Sequence, residues 1–542
     1  MRAGVRHAIV APGSRSTPLA LAVMREPLMT VQVFHDERSA AFAGLGVGLS
    51  TGQPAVVLCS SGTAGAHFYA AVIEAHMSNV PMIVCTADRP PHLRDVSSPQ
   101  TIDQTKMFGD AVRWFHDPGV PALVTQHTWR ALASRVWATT VGARPGPVHL
   151  NLPFDEPLFG EPLDLPDARD NAWASRIVGR GWSEHDIASF VNICSGRSGV
   201  IVAGKGSPAS LLSFAQQLGW PVFADPRSGL RTVHSNVVSA FDPILRAEKF
   251  IADLHPQVIV CVGEPPASKV LSQWTRQGKA TVVHCGETDV VVDPLHIVAN
   301  SFIGDLEDLF NRAHIDVQPT GSSWLLAWKK ADETASSVIS DWVTHNWSEI
   351  AVAHTVSRAL AHDSHCVVSS SMPIRDFEWF GTPINGASVH ANRGANGIDG
   401  VVSTAVGVAL GSGQTTFLLI GDIACIHDAN GLWGLSQRGV DVRIVVTNND
   451  GGAIFSFLPQ AQHVDADVFE TIYGTPHGVS FASLAQTHGI EYCQVNSVGE
   501  LEAACRRVGP IVIEAKFDRA VDVGQHEAIN VAVVSAIENS MV

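Results

Sequence analysis

The sequence predicts an α/β protein built from three doubly wound, parallel-sheet domains. Three observations carry the prediction. Short, almost wholly apolar runs alternate with helix-length segments, the pattern of parallel strands covered on both faces. The pattern stops at a Pro- and Asp-rich stretch and restarts, then stops and restarts once more. A chain of 542 residues, at about 100–200 per domain, points to three domains, with two or four as the neighbouring counts.

In chain order, HAIVAP (7–12), VQVFHD (31–36), AVVLCSS (55–61), PMIVCTADRP (81–90) and PVHLNLP (147–153) read as the strands of a first unit. Residues 154–182 read as a linker. GVIVAGKG (199–206), PVFAD (221–225), VIVCVGEPP (258–266) and ATVVHCGE (280–287) make a smaller unit that ends near residue 315, and QPTGSS (318–323) reads as a second linker. A third unit from about residue 335 contains HCVVSSSMP (365–373), TFLLIGD (416–422), VRIVVTNNDGG (442–452) and PIVIEAKFD (510–518), and matches the first in size and layout. The expected domain limits are 1–162, 175–318 and 335–542. Doubly wound sheets bind ligands beyond the carboxyl ends of their strands. Glu37, Asp88–Arg89, Ser369–Ser371, Asp422 and Asn448–Asn449 all fall at such ends.

Composition narrows the function classes. With 46% apolar and 16% charged residues, the chain supports large buried cores and is not disordered. Its abundant Gly and Ala suit helices that pack closely on sheets. A net charge of −16 disfavours nucleic acid as a partner, so an anionic substrate needs local arginines working against the global field. No apolar run reaches the ~18 residues of a membrane span, and the first residues lack a signal-peptide layout. Nine scattered cysteines without a CxxC pair suggest reduced, structural thiols and a cytoplasmic location. The 24 histidines contain no HExxH motif or zinc spacing. GVIVAGKG almost spells a P-loop, but Gly206 stands where Ser or Thr is needed and the intervening residues are a strand. The sequon at Asn346 has no role in a cytosolic chain.

Chemistry concentrates first in GDIACIHDANGLWGLSQRGVDVRIVVTNNDGG (421–452). Asp422 ends one strand and Asn449 ends the next, 27 residues on, so one strand–helix–strand unit brings both to the same sheet edge. A carboxylate, a carboxamide oxygen and a backbone carbonyl there form an oxygen site suited to Mg²⁺, which leans on phosphates for its remaining ligands. The structural alternative is an N-cap Asp followed by an Asn-rich turn. Glu37 opens a helix of small residues just after a strand. Taken alone, a carboxylate favoured by the helix dipole is the simpler account of it.

The GD…NN module resembles the diphosphate-binding motif of thiamine-diphosphate enzymes, whose three α/β domains serve the pyrimidine, the centre and the diphosphate. The resemblance implies thiamine diphosphate with Mg²⁺, or alternatively Mn²⁺, held by Asp422, Asn449 and the Gly451 carbonyl. It also implies that Glu37 hydrogen-bonds the cofactor's aminopyrimidine and promotes its imino tautomer, and that Ile398 sits beneath the two rings. APGSRSTPLALA (11–22), CTADRPPHLRDVSSPQTIDQTKMFG (85–109) and ANRGANGIDGVVSTAVGVALG (391–411) are more specific. Together they resemble the 2-succinyl-5-enolpyruvyl-6-hydroxy-3-cyclohexene-1-carboxylate synthase family over essentially the whole chain. That family makes a menaquinone precursor by decarboxylating 2-oxoglutarate and adding the succinyl carbanion to isochorismate in a 1,4 fashion. Residue by residue, the resemblance implies substrate contacts from Ser14, Arg15, Arg89, Gln100, Lys269, Ser371, Arg375 and Arg393, with Ile454 and Phe455 walling the pocket. The arginines suit polyanionic substrates on their own account, because a guanidinium fork binds carboxylate bidentately. Each one singly also reads as a salt bridge, and Ile398, Ile454 and Phe455 also read as core. The resemblance implies a homodimer or homotetramer with the site between chains. The sequence departs from the family pattern in lacking a helix before the first strand, and in carrying Val270 where some relatives have a second basic residue. Competing readings are another thiamine-diphosphate 2-oxo-acid carboligase or decarboxylase, resembling acetolactate synthase, and a non-catalytic binder on the same fold.

Overall fold

The computed structural model describes residues 1–160 and 181–540, so most of the expected first linker lies outside the described residues. It contains three six-stranded sheets, each parallel throughout. The first comprises β1 (His7–Val10), β2 (Thr30–Val33), β3 (Ala55–Cys59), β4 (Met82–Asp88), β5 (Trp114–His116) and β6 (Pro147–Pro153), in the order β2-β1-β3-β4-β6-β5. The second comprises β7 (Gly199–Ala203), β8 (Val222–Ala224), β9 (Val237–Val238), β10 (Val258–Val262), β11 (Thr281–Gly286) and β12 (Val298–Ile303), in the order β12-β11-β10-β7-β8-β9. The third comprises β13 (His365–Val368), β14 (Ser388–His390), β15 (Thr416–Gly421), β16 (Val442–Asn448), β17 (Glu491–Val495) and β18 (Ile511–Lys516), in the order β14-β13-β15-β16-β18-β17. The first and third sheets therefore share one topology, and the central sheet has another.

The helices that position the site are α1 (Glu37–Thr51), α2 (Tyr69–Met77), α3 (Lys269–Gln277), α4 (Ser322–His345), α5 (Glu349–Ala359), α6 (Met372–Phe380), α7 (Val401–Ser412), α8 (Asp422–His427) and α9 (Arg519–Asn539). Residues 39–48 of α1 are all buried. A helix buried on every side needs small residues wherever another backbone approaches. Gly44 lies on Val57 of the first sheet, and Gly46 faces α7 of the third domain. A Cβ on Gly46 would stand 2.1 Å from the Thr404 carbonyl oxygen, and one on Gly407 would stand 2.0 Å from that of Ala43. Backbone rests on backbone, and the first and third domains of one chain share a single apolar core. The Gly and Ala content thus serves helix-on-helix contact as well as helix-on-sheet.

The C-terminal helix does not stay with the third sheet. Ile529, Val533 and Ile537 of α9 join Trp328 and Ile339 of α4, and Phe223 and Phe241 of the central domain, in one cluster. Ser322 and Ser323, read from the sequence as the end of the second linker, instead begin α4, which bridges the central and third domains. All nine cysteines are unpaired, and burial pushes the Cys85 and Cys261 thiols up to about 12. Lys205, the P-loop-like lysine, is held by Glu264 at 3.2 Å and by the Ser78 carbonyl. Among the described residues no helix is long and apolar enough to cross a membrane.

Candidate active site

The third sheet brings Asp422 and Asn449 together as the spacing predicts. β15 and β16 are adjacent, with Gly421 in register with Thr447. Asp422 is 2% exposed and begins α8. Its Oδ2 accepts from the backbone N–H groups of Asn449 (3.1 Å) and Gly451 (3.0 Å), drawing the second strand-end loop onto the first. His477 Nε2 stands 3.2 Å from the same oxygen. Gly451 is obligatory, since its φ is +151° and a Cβ would meet Arg519 and the Gly474 carbonyl at 2.1 Å. Its carbonyl accepts from Ala453 N–H and keeps a second lone pair.

The donor set fits a hard divalent cation. Asn449 Oδ1 is buried and has no hydrogen-bond partner among the described residues, a costly state for a polar atom unless a ligand completes it. Among the described residues no three His, Cys, Asp or Glu side chains cluster to hold a metal. The available ligands are instead one carboxylate, one carboxamide oxygen and one carbonyl, the mixture that suits Mg²⁺ beside phosphate oxygens.

Glu37 is the first residue of α1 and half-buried, in a cleft with His35, Asp36, Arg38, His67 and Asn430. The capping hydrogen bonds of this helix belong to Asp36, whose side chain accepts from Arg38 and Ser39 N–H, while Glu37 is the acidic residue of the first turn. Glu37 accepts no hydrogen bond from the described residues, so its carboxylate is available to a ligand. Asn430 of the third domain donates to Asp36 Oδ2 at 2.7 Å, so this corner is built from two domains.

Ser14, Arg15, Arg89 and Gln100 crown the first sheet. Ser14 is exposed at the turn after β1. Arg15 is 4% exposed and donates to the Phe154 carbonyl (3.0 Å) and Glu156 (3.4 Å). Arg89 follows β4 and donates to the Pro99 carbonyl. The Nε atoms of both arginines are buried without partners. Gln100 is exposed, has a φ of +53° and exchanges hydrogen bonds with Ser61 beyond β3. Beneath them, Asn151 binds Asp88 at 2.8 Å and Gln104 at 2.9 Å, while Gln104 accepts from Gly62 N–H. Sequence reasoning missed this hub, because neither an Asn within the strand β6 nor a Gln in the loop after β4 shows from the sequence which partners it meets.

Arg393 lies close enough to Arg227 and Arg375 to feel their charges. Burial holds the Arg375 and Arg393 guanidinium pKa values below the ordinary range, and Arg227 and Arg375 depress Arg393 further. Like charges held together in a half-buried place create a site that an anion relieves. Ser371 begins α6 at φ +76° and ψ −137°, a strained conformation for a residue with a side chain, and its carbonyl accepts from Arg375. Arg393 and Ile398 ride on the loop before α7. Glu74 of α2, itself 1% exposed, secures that loop by accepting from Gly394 (2.9 Å), Ala395 (2.7 Å) and Asn396 (2.9 Å) N–H. Ile398 is half-buried against the shared core.

Lys269 is exposed at the start of α3, where Ser268 caps the helix. Its loop is clamped from two sides. Arg227 binds Glu264 (3.2 Å) and the Pro265 carbonyl (2.9 Å), and Glu378 of α6 accepts from Ala267 N–H at 2.7 Å. Val270 packs into the apolar cluster instead of facing a ligand. Ile454 and Phe455, both half-buried, follow Gly451 in a tight helical turn, with the Phe455 ring 5.2 Å from that of Tyr473. Glu74, Arg227 and Glu378 carried no signal in the sequence, since each acts on a loop far along the chain.

Under the cation loop lies a buried ionic cluster. His526 of α9 binds Asp376 at 2.7 Å and approaches Asp522 at 3.3 Å. Burial alone would lower the His526 pKa, but Asp376 and Asp522 hold it well above the usual value. Burial raises Asp376 as well, against the pull of His526. Both shifts leave the folded state with more bound protons than the unfolded chain, so stability falls as pH rises. The Asp376 part of that loss begins at about pH 4 and the His526 part at about pH 6.5, so we expect the apparent melting temperature to decline further above about pH 6.5, and His526→Gln to flatten that upper part of the decline; thermal scans at graded pH check it. A slope unchanged in the variant refutes the assignment.

Fold and site together define a thiamine-diphosphate enzyme. Family models for such enzymes match in order: the N-terminal thiamine-pyrophosphate-binding domain over residues 1–107, the middle domain over 182–368 and the C-terminal thiamine-pyrophosphate-binding domain over 385–515. A benzoylformate decarboxylase from Polynucleobacter necessarius shares the fold, with a TM-score of 0.73 at 16% identity over 96% of this chain and 97% of its own. Two relatives are nearer in sequence. The 2-succinyl-5-enolpyruvyl-6-hydroxy-3-cyclohexene-1-carboxylate synthase of Chloroflexus aurantiacus is 38% identical over 97% of this chain and 93% of its own length. That of Thermobifida fusca is 37% identical over 99% and 97%. The chain belongs to the 2-succinyl-5-enolpyruvyl-6-hydroxy-3-cyclohexene-1-carboxylate synthase family.

Proposed function

We propose that this chain is a transferase of menaquinone biosynthesis. It decarboxylates 2-oxoglutarate and joins the remaining four-carbon unit to isochorismate by 1,4-addition. The observation that carries the reading is its near full-length kinship to synthases of that name. Thiamine diphosphate supplies, when bound, the carbon nucleophile that makes loss of CO₂ from a 2-oxo acid feasible. The chain's own residues do the rest. Asp422, Asn449 Oδ1 and the Gly451 carbonyl hold Mg²⁺ or Mn²⁺ against the diphosphate. Glu37 takes and returns a proton at the pyrimidine ring. Ile398 shapes the cofactor. Arg375, Arg393, Ser371 and Lys269 on one side, and Ser14, Arg15, Arg89 and Gln100 on the other, bind and orient the substrate carboxylates, while Ile454 and Phe455 exclude water.

The domain limits 1–162, 175–318 and 335–542 and a cytoplasmic location belong to the same proposal, as does a homodimer or homotetramer. Tyr69, Ile73 and Met77, at i, i+4 and i+8 on α2 and exposed by 40%, 37% and 52%, supply an apolar stripe for a second copy. A simple decarboxylase of neutral substrates needs no such set of carboxylate-binding arginines, and the long PGSRSTPL and TADRPP motifs count against the alternative as well. The deciding experiment measures CO₂ release by purified protein with thiamine diphosphate and Mg²⁺. Release from 2-oxoglutarate that depends on isochorismate is expected; turnover of pyruvate alone would overturn the substrate assignment.

A further inference from the structure

Asn449 serves a cation only through Oδ1, yet a carboxamide has two ends of nearly equal size. Something must choose between them. Glu349 begins α5, 3% exposed, with Ser348 capping the helix through Ala351 N–H and fixing where it starts. Its Oε1 accepts from Asn449 Nδ2 at 2.8 Å. One N–H of the amide is thereby committed to Glu349, the backbone N–H is committed to Asp422, and Oδ1 is buried without a partner among the described residues. The arrangement repeats one residue earlier. Asn448 Nδ2 donates to Glu514, and Asn448 Oδ1 accepts from Asp450 N–H at 3.1 Å, which folds the loop that carries Gly451. Each asparagine of the pair has a glutamate on its nitrogen. Glu349 stands 100 residues before its partner, outside the motif.

We propose that Glu349 is a positioning residue that fixes Asn449 as an oxygen donor and so sets the divalent-cation affinity of the site. The inference rests on reading Asp422, Asn449 and Gly451 as the cation ligands. Groups behind a metal ligand commonly govern affinity by about 10–100-fold, because they decide the ligand's orientation before the metal arrives. With Glu349 removed, nothing opposes the amide orientation that turns N–H groups toward the cation.

The test is thiamine diphosphate binding by the full chain, followed by tryptophan fluorescence at graded Mg²⁺. Glu349→Met raises the Mg²⁺ midpoint about tenfold or more, with binding recovered at saturating Mg²⁺. Glu349→Gln, whose carboxamide can accept from Nδ2 or donate to Oδ1, falls between Glu349→Met and wild type. Should Glu349→Met not fold, the polarity swap decides. Asn449→Asp alone sets two carboxyl groups face to face. Adding Glu349→Gln gives the new carboxylate an N–H donor and lowers the Mg²⁺ midpoint about tenfold relative to Asn449→Asp, a coupling that a double-mutant cycle isolates. A Glu349→Met midpoint equal to wild type, or equal midpoints for Asn449→Asp and the swap, overturns the proposal. Wild-type binding that needs no divalent cation instead overturns the cation site on which it rests.

Discussion

Replacing Glu37 by Gln should leave thiamine diphosphate bound and lower turnover by about 10²–10⁴-fold, the range for losing a positioned proton-transfer group. The size of the effect follows from what Glu37 does not do. It could have been a helix-terminal carboxylate, which contributes about 0.3–1 kcal/mol to stability and nothing to chemistry. The capping hydrogen bonds come from Asp36, which accepts from Arg38 and Ser39 N–H, so Glu37 makes none of them. Glu37 is left half-buried in a cleft formed with His67 and Asn430, its oxygens uncommitted among the described residues. Gln has the same size, so packing is preserved and only the ability to carry the proton is lost. Two measurements check it: kcat with saturating cofactor and Mg²⁺, and deuterium exchange at the cofactor's thiazolium C2, which should slow with kcat. A variant that keeps both rates refutes the role.

Gly407→Val should be the most damaging substitution away from the chemistry. Its Cβ would be placed 2.0 Å from the Ala43 carbonyl oxygen and 2.9 Å from Ala43 Cα. Both are backbone atoms of α1, which is also pressed on Val57 of the first sheet through Gly44 and on Val80 and Pro81, just before β4, through Gly48. No flexible side chain can yield, so the helices must separate and the core shared by the first and third domains opens. The expected cost is about 3 kcal/mol, the upper end for overpacking, or more. It is read as a large fall in apparent melting temperature or a loss of soluble protein. Gly524→Ala on α9 is the control. Nothing lies within 4 Å of its Cβ, so it should stabilise by about 0.5–1 kcal/mol through helix propensity. If Gly407→Val melts like wild type, the backbone contact between α1 and α7 is wrong.

The legibility of the fold depended on where each strand lies. The interior strands were all evident as apolar runs, because a parallel strand buried on both faces is apolar at every position. The strands that escaped notice, β5, β9, β12, β14 and β17, are all sheet edges. β12, VANSFI, has four exposed positions, and β17, EYCQV, has one fully buried residue. An edge strand takes its conformation from its neighbour's hydrogen bonds, which leave no local mark on composition. The edge strand β2 was legible because it sits in the alternation that leads to Glu37.

The site divides along the same line. Asp422, Asn449 and Gly451 were legible because their motif is contiguous with two adjacent strands, and the strand spacing alone sets them side by side. The arginines were legible as members of strand-end motifs. Glu349, Glu74 and Glu378 were not. A buried glutamate has the same one-letter signature as a surface one, and each of these acts on a backbone or side chain at least 100 residues away. By itself, then, the sequence determined three parallel α/β units, the polar residues that stand at their strand ends and the family to which they belong. These follow from burial on two faces and from ligands set by local turns. The tertiary structure alone decided that α1 and α7 meet backbone to backbone, that α9 returns to the central domain, and that a buried carboxylate stands behind Asn449. Long-range packing selects those contacts, and residues distant in sequence carry no local record of their partners.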